Sequence, residues 1–251
     1  MNYKYLMLCI CIACFMSCKE EMHLERIEGK RLEINDSIIG VSKIEDFITP
    51  FREHVNKNLD SVLAYAVDTY SKTDGDLNTA IGNLMADAVL EESNPVFESR
   101  TGNKIDIVLL NHGGIRAILS KGNITARTAY AIMPFENSVV VTELKGSDIK
   151  DMVTYLQKAK RAHPISGLTI KLDNDYELVE AKINGEVIDE TKMYYVATND
   201  YLYSGGDRMD FFKKSDTLHV LDYKIRNVLI DYFTKYDTIN PVIDNRFIKT
   251  N

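Results

Sequence analysis

The chain has 251 residues, of which 45% are hydrophobic and 27% are charged, and its formal net charge is −7 at pH 7. This composition is ordinary for a globular protein, and the length is sufficient for one domain with a substantial core. Lys and Arg are interspersed with Asp and Glu and form no basic tract, which argues against nucleic acid as a partner.

The first residues are typical of a bacterial export signal. Lys4 precedes an apolar run over residues 5–16 that is too short to span a bilayer. Phe15-Met16-Ser17-Cys18 resembles a lipobox, in which the cysteine is lipidated. Lys19-Glu20-Glu21 is similar to the short acidic signal that follows this cysteine in surface lipoproteins of Bacteroidetes-type bacteria.

We therefore predict a lipoprotein signal peptide over residues 1–17, lipidation of Cys18, an anchor and linker over residues 18–40, and one folded domain over residues 41–251. The expected location is the bacterial cell envelope, with the lipid in the outer membrane and either face, periplasmic or surface, left open. All four cysteines (Cys9, Cys11, Cys14 and Cys18) lie at or before the lipidation site. The mature body is thus expected to contain no disulfide and no cysteine metal site.

The sequence of the first half of the domain predicts two helices and a strand. Apolar residues recur at helical spacing from Ile44 to Leu63, with Pro50 as a kink or a restart. A second helix is predicted from Thr79 to Glu91, and an apolar, β-branched run over residues 105–110 predicts a buried strand.

The second half alternates strands with helices. Strands are predicted over residues 138–144, 168–172, 177–183 and 193–198, with a hairpin turn at Asn184-Gly185. Ser147 is a plausible N-cap for a third helix, and a last helix is expected from Leu221 to Phe233. The fold class is therefore α+β, with mixed α/β layers in which a mixed sheet is flanked by helices.

The stretch Asn111-His112-Gly113-Gly114-Ile115-Arg116 directly follows the strand predicted over residues 105–110. Open α/β sheets bind ligands at the carboxyl ends of their strands. Adjacent glycines let the backbone approach a ligand, and the arginine fork suits phosphate or carboxylate. Alone, the stretch is equally compatible with an ordinary turn followed by a solvated arginine.

Three further polar or aromatic segments occupy similar positions at strand ends or in glycine turns: Pro134 to Asn137, Ser166-Gly167, and Tyr201 to Asp207. A nucleotide requires a cation for phosphate, a carboxylate for the ribose hydroxyls and aromatic faces for the base. Each residue also has a simpler explanation, since single aromatics are usually core residues and Asp207 could cap its own turn. The recurrence of the whole set favours nucleotide binding.

This set resembles the C-terminal domain of the bacterial and animal 5′-nucleotidase family. Asn111 to Arg116 is similar to the Asn-Gly-Gly-Gly-Ile-Arg signature of that family, and Ile81 to Ala88 is similar to its Gly-Asn-Leu helix. Met133-Pro134-Phe135 and the segment from Asn199 to Asp207 match its Pro-Phe and Gly-Gly-Asp segments in order and spacing. The resemblance runs from about Val62 to Phe247, essentially the whole mature domain. Together with the predicted signal peptide, it suggests a stand-alone lipoprotein form of this domain.

The resemblance implies a nucleoside-binding site with no catalytic residue of its own. Phe135 and Tyr201 would sandwich the base, Asp207 would accept hydrogen bonds from ribose hydroxyls, and Arg116 would reach phosphate or ribose oxygens. Asn111 and Asn137 would hold the base or sugar, and Gly167 would let the backbone approach the base. The complete set is Asn111, Gly113, Gly114, Arg116, Phe135, Asn137, Gly167, Tyr201 and Asp207.

The chain departs from the family pattern at three places. Tyr201 replaces the usual phenylalanine, which preserves stacking. His112 replaces a glycine, which would matter if the backbone there required a positive φ. The additional phosphate-binding arginine of the family has no counterpart between Thr73 and Ile81.

Hydrolysis in the family is performed by a metallophosphoesterase domain that holds two metals. The five histidines of this chain (His23, His54, His112, His163 and His219) are scattered and match none of its metal-binding motifs. We therefore expect no cofactor in this chain, with divalent metals on a partner metallophosphoesterase. The leading hypothesis is the nucleotide-recognition half of a split 5′-nucleotidase-type hydrolase. The alternative is a non-enzymatic lipoprotein for nucleoside binding or assembly.

Overall fold

The computed structural model describes residues 3–4, 7, 23–35 and 37–250. Within these ranges the chain forms six α-helices and three β-sheets that each mix parallel and antiparallel pairs. The predicted α+β fold class is confirmed. The predicted signal peptide, the lipidation site at Cys18 and the acidic signal that follows it lie outside the described residues, apart from isolated positions near the start. None of the helices in the described ranges is long and apolar enough to cross a membrane.

The helices are α1 (Ser42–Leu59), α2 (Ala80–Thr101), α3 (Ala126–Ile132), α4 (Gly146–Ala159), α5 (Asp200–Tyr203) and α6 (Ile225–Lys235). The strands are β1 (Val62–Ala66), β2 (Ile107–Leu109), β3 (Gly122–Thr125), β4 (Ser138–Lys145), β5 (Ile165–Ser166), β6 (Leu168–Leu172), β7 (Leu178–Ile183), β8 (Glu186–Val187), β9 (Met193–Asn199), β10 (Leu218–Lys224), β11 (Thr238–Ile239) and β12 (Phe247–Lys249). Short 3-10 turns cover His112–Gly114, Gly206–Arg208 and Asp210–Lys214.

The chain divides into two compact units, residues 1–48 and residues 49–251. In the first unit, residues 23–35 are irregular and the start of α1 follows Val41. The second unit contains the remaining helices and all the strands named above. Pro50 lies inside α1 rather than starting a new helix, and the helix ends at Leu59 because Val62 already pairs in a sheet.

A five-stranded sheet with the order β10-β4-β9-β2-β5 brings distant parts of the chain together. β2 and β9 are parallel, with Val108 opposite Ala197, so their carboxyl ends reach the same edge. β4 is antiparallel to β9, with Val139 opposite Asn199, so β4 starts at that edge. The loop after β2, the loop before β4 and the turn after β9 therefore converge.

Residues of this sheet belong to two hydrophobic clusters. Val108 belongs to one cluster, together with Phe97 of α2 and Phe233 of α6. Ile107 and Leu109 belong to the other, because successive strand residues point to opposite faces. Burial on both faces explains why β2 is apolar at every position rather than at alternate ones. The buried strand also gives the loop that follows it a rigid attachment.

Helix ends differ from the sequence predictions where tertiary packing decides. α2 starts after Thr79, whose hydroxyl accepts a hydrogen bond from the Gly82 amide, as helix-start rules favour. The predicted end at Glu91 was wrong: α2 continues past Pro95 to Thr101, because the buried Phe97 anchors the later turns in the core.

The predicted N-cap of the third helix and the predicted start of the last helix were also wrong. α4 begins at Gly146 and is preceded by Lys145, so Ser147 is not its N-cap. The last helix begins at Ile225 rather than Leu221, because Leu221 lies in β10 and packs in the core as a strand residue. The predicted Asn184-Gly185 hairpin is confirmed, with positive φ angles of 49° and 85° joining β7 to β8.

Candidate functional site

One cleft lies at the sheet edge where the loops after β2 and before β4 and the turn after β9 converge. Its volume is about 320 Å³. The residues that line it are Asn111, Gly113, Gly114, Phe135, Asn137, Tyr201 and Asp207. All seven belong to the nine residues singled out from the sequence, and we call this cavity the aromatic cleft.

Asn111 follows β2 and is buried, with 8% of its surface exposed. Its amide packs closely against both glycines: a Cβ added at Gly113 would lie 3.2 Å from its Nδ2, and one at Gly114 would lie 3.1 Å from its Oδ1. The side chain does not cap the 3-10 turn that it precedes. The glycines thus make room for an amide whose hydrogen-bonding groups are available to a ligand.

Two aromatic rings on the cleft wall are exposed rather than part of the core. Phe135 is 41% exposed and Tyr201 is 46% exposed. A flat base that stacked on such rings would remove apolar surface of both partners from water. Gly206 permits the position of Tyr201, since a Cβ there would lie 2.4 Å from the Tyr201 ring.

Asp207 is held from two sides in a left-handed backbone conformation, with φ at 51°. The Tyr201 hydroxyl donates to Asp207 Oδ1 at 3.0 Å, and the Tyr155 hydroxyl donates to the Asp207 carbonyl at 2.8 Å. Aspartate tolerates the left-handed region better than most residues. The Oδ2 atom receives no hydrogen bond from the described residues, so it can accept one from a ligand hydroxyl.

The other two predicted residues lie outside the lining of the aromatic cleft. Arg116 is exposed, and its guanidinium carbon is 5.8 Å from the centre of the Phe135 ring, which places it beside the aromatic wall. Gly167 has φ at 74°, and a Cβ there would lie 2.0 Å from the Asp106 carbonyl oxygen. Close packing of Gly167 against Asp106 explains this glycine without a ligand.

Arg226 supports the aromatic wall from behind and was not predicted from the sequence. It is 5% exposed, its guanidinium donates to Glu136 Oε1 at 2.6 Å, and its guanidinium carbon is 4.1 Å from the centre of the Tyr130 ring. Hydrogen bonds from Lys224 and Arg226 lower the pKa of Glu136 to about 2. The loop that carries Phe135 is therefore fixed by charge-assisted bonds. A clue in the sequence was an arginine among apolar residues of the last predicted helix.

Two histidines that are far apart in the sequence meet behind the glycine loop. The His112 backbone amide donates to His163 Nδ1 at 3.3 Å. Burial lowers the pKa of His163 to about 4, so this imidazole is neutral at pH 7. Burial also lowers the pKa of His112. His112 does not have a positive φ, so replacing the family's glycine at this position creates no backbone strain.

In the described part of the chain, no group of three or more His, Cys, Asp or Glu side chains could hold a metal ion. Tyr155 and His163, which support the cleft, were not predicted as site residues either. Both follow from tertiary contacts, and we find no local motif in the sequence that marks them.

Comparison with known proteins identifies relatives of this chain. Residues 59–214, more than half of the chain, match the model of the family described as 5′-nucleotidase, C-terminal domain. A cell wall protein, Lmo0130 of Listeria monocytogenes, is 27% identical over 219 residues, which is 70% of this chain and 28% of that protein. The trifunctional nucleotide phosphoesterase YfkN of Bacillus subtilis is 32% identical over 183 residues, which is 67% of this chain and 12% of that protein.

Solved structures show the same fold. The 5′-nucleotidase precursor of Thermus thermophilus superposes with a TM-score of 0.69 at 22% identity, covering 84% of this chain and 43% of that one. The NAD nucleotidase NadN of Haemophilus influenzae gives a TM-score of 0.64 at 17% identity, covering 84% and 42%. The chain thus spans less than half the length of each of these relatives.

Proposed function

The chain belongs to the 5′-nucleotidase C-terminal domain family, and we propose that it is the nucleotide-recognition half of a split 5′-nucleotidase-type hydrolase. In this proposal a separate metallophosphoesterase holds the divalent metals and hydrolyses the phosphate ester. The chain itself would be lipid-anchored outside the cytoplasm, in line with a relative named as a cell wall protein.

The observation that carries the proposal is the composition of the aromatic cleft. Two exposed rings, Phe135 and Tyr201, lie in one cavity with the available amide of Asn111 and the carboxylate of Asp207. These groups match the stacking face of a base, its polar edge and the ribose hydroxyls. A cleft of about 320 Å³ is in the range of small-molecule sites.

The assignment of hydrolysis to a partner rests on chemistry. Two-metal hydrolysis requires a cluster of ligands that positions and ionises the attacking water. The described residues offer no such cluster, and the names of the relatives include a phosphoesterase and a 5′-nucleotidase precursor.

Nucleoside binding is tested by calorimetry of the full chain with adenosine, AMP and UMP, next to Tyr201→Ala and Asp207→Ala variants. Tyr65→Ala is the matched control, because Tyr65 is 43% exposed on β1 and does not line the aromatic cleft. We expect binding that both cleft variants lose and the control keeps. Binding that is absent, or that is equally weakened in all three variants, would contradict the proposal.

The partner is tested by mixing the chain with a purified metallophosphoesterase from the same genome and a divalent metal, with AMP as substrate. We expect faster hydrolysis than with the metallophosphoesterase alone, and no gain with the Tyr201→Ala chain. Nucleoside binding without any gain in hydrolysis would instead support a non-enzymatic nucleoside-binding lipoprotein.

A further inference from the structure

A second cavity, of about 360 Å³, lies next to the aromatic cleft and shares Gly113 and Asp207 with it. Its other lining residues are Tyr155, Ala159, Arg161, His163 and Arg208. We call it the arginine cavity. Since Asp207 lies on both cavities, one molecule can reach from the aromatic rings past this carboxylate to the arginines.

Arg161 and Arg208 are exposed, and within the described residues neither guanidinium has a hydrogen bond or an ion pair. Other arginines of the chain are engaged: Arg246 bonds Asp87, Arg226 bonds Glu136, and Arg127 bonds Asp60. His163 is neutral at pH 7, and Asp207 contributes one negative charge. The arginine cavity therefore has two cations and one anion on its wall.

The backbone at Arg208 is strained. Its φ is 61°, directly after Asp207 with φ at 51°. Aspartate is often found in this left-handed region, whereas a long side chain such as arginine is uncommon there. Strain of this kind persists when the surrounding structure imposes it and is concentrated at functional sites.

Arg161 also has a simpler role, since it follows the carboxyl end of α4, where a cation is favourable. Lys158 in the last turn of α4 already supplies such a charge. That role also leaves unexplained why the strained Arg208 lies on the same cavity.

We propose that the arginine cavity is a phosphate-binding subsite in which Arg161 and Arg208 donate to the phosphate oxygens. Guanidinium forks match phosphate in charge and in geometry. If the nucleotide function proposed above holds, this phosphate belongs to the nucleotide whose base lies in the aromatic cleft. Asp207 would then accept hydrogen bonds from the ribose hydroxyls between the two cavities. Its carboxylate would face the sugar rather than the phosphate. The phosphate could be esterified at the 3′ or the 5′ oxygen, and both have the same recognition chemistry.

The test is calorimetry of the full chain with adenosine, 3′-AMP, 5′-AMP and inorganic phosphate. Arg161→Ala removes one donor. Arg208→Gly removes the other and relieves the backbone strain, because glycine adopts a positive φ without a steric cost. Lys158→Ala is the matched control, because it removes one charge from the same helix end without touching the cavity.

We expect one of the two monophosphates to bind at least tenfold more tightly than adenosine. Arg161→Ala and Arg208→Gly should each reduce that gain about tenfold and leave adenosine binding unchanged, and Lys158→Ala should retain it. The preferred isomer shows which ester oxygen the cavity serves. A gain that survives both arginine variants would overturn the proposal while leaving nucleoside binding intact.

If adenosine does not bind, the proposed function fails and inorganic phosphate tests the subsite by itself. Phosphate binding that the two arginine variants lose and Lys158→Ala keeps would support a phosphate site. No phosphate binding to the unmodified chain would overturn it.

Discussion

The aromatic cleft and another cavity of nearly equal volume differ in what their polar groups already bind. This other cavity, distinct from the arginine cavity, has a volume of about 340 Å³ and includes Asp87 and Arg246 in its lining. We call it the Asp87–Arg246 cavity. Arg246 donates to both carboxylate oxygens of Asp87 at 2.8 and 2.9 Å, to Asp244, and to the Ile165 carbonyl. In the aromatic cleft, the amide of Asn111 caps nothing and two aromatic rings are exposed.

Cavity volume alone therefore does not identify a ligand site. An arginine whose donors are already bonded to protein has little left for a ligand, and removing it leaves carboxylates without their partner. Hydrogen-bonding groups without a protein partner and exposed rings contribute little to the stability of the fold, and they remain available to a ligand. Substitutions in the Asp87–Arg246 cavity should therefore change stability, and substitutions in the aromatic cleft should change binding.

The largest effect is expected for Arg246→Ala. The Arg246 side chain is 15% exposed and links Asp87 on α2 to Ile165 on β5. Its loss should lower the free energy of unfolding by roughly 3 kcal/mol, because the hydrogen bonds from a mostly buried guanidinium to two partly exposed carboxylates and to a backbone carbonyl are removed. Urea unfolding measures this change. Arg127→Ala is the control, since its pair with Asp60 is half exposed and should contribute less than about 1 kcal/mol. Equal changes in the free energy of unfolding for the two substitutions would show that the Asp87–Arg246 pair stabilises the fold no more than an exposed surface pair.

The converse change is Phe135→Ala in the aromatic cleft. We expect nucleoside binding to weaken by about 2 kcal/mol, roughly thirtyfold, because one stacking face is lost. The free energy of unfolding should stay within about 0.5 kcal/mol, because the ring is 41% exposed. Calorimetry and urea unfolding are measured on the same samples. A loss of stability with unchanged binding would show that Phe135 acts as a core residue. It would contradict the expectation that substitutions in the aromatic cleft change binding rather than stability.

His163, which lies behind the glycine loop, predicts that stability depends on pH. The folded pKa of His163, about 4, lies below the ordinary value of 6.5. Between these values the unfolded chain binds a proton that the folded chain does not, so stability falls as pH falls. From pH 7 to pH 5 this contributes a loss of about 2 kcal/mol in the free energy of unfolding.

Urea unfolding at both pH values, with His163→Asn next to the unmodified chain, isolates this contribution. Glu136 has a folded pKa of about 2, so its stabilising pairs persist above the unfolded pKa of about 4.5 and stay constant over this window. The variant should show a flatter pH profile. Parallel profiles of the two proteins would show that His163 titrates normally and is not kept neutral by burial.

Sequence patterns predicted what is local and left out what depends on packing. The run at residues 107–109, the Asn184-Gly185 turn and the glycine loop follow from periodicity and turn chemistry. The length of α2 and the start of α6 depend on which buried neighbours Phe97 and Leu221 meet, and the sequence does not contain that information locally.

The same division holds for the site. The family resemblance named the residues that line the aromatic cleft, since they stand in recurring motifs. Residues that support the cleft from behind, such as Arg226 and Tyr155, act through contacts with residues 90 and 52 positions away, and no motif joins them.

The smallest effect is expected for Tyr155→Phe. The Tyr155 hydroxyl donates to the carbonyl of Asp207, a residue already in a left-handed conformation, and its removal leaves the turn held by Tyr201 alone. We expect nucleoside affinity to fall about threefold, or roughly 0.6 kcal/mol, the lower part of the range for one hydrogen bond. Tyr65→Phe is the control, because this exposed tyrosine lies on β1 in another sheet. Calorimetry of both variants with adenosine gives the answer. If Tyr155→Phe binds as well as the control, the bond between Tyr201 and Asp207 is sufficient to position the carboxylate.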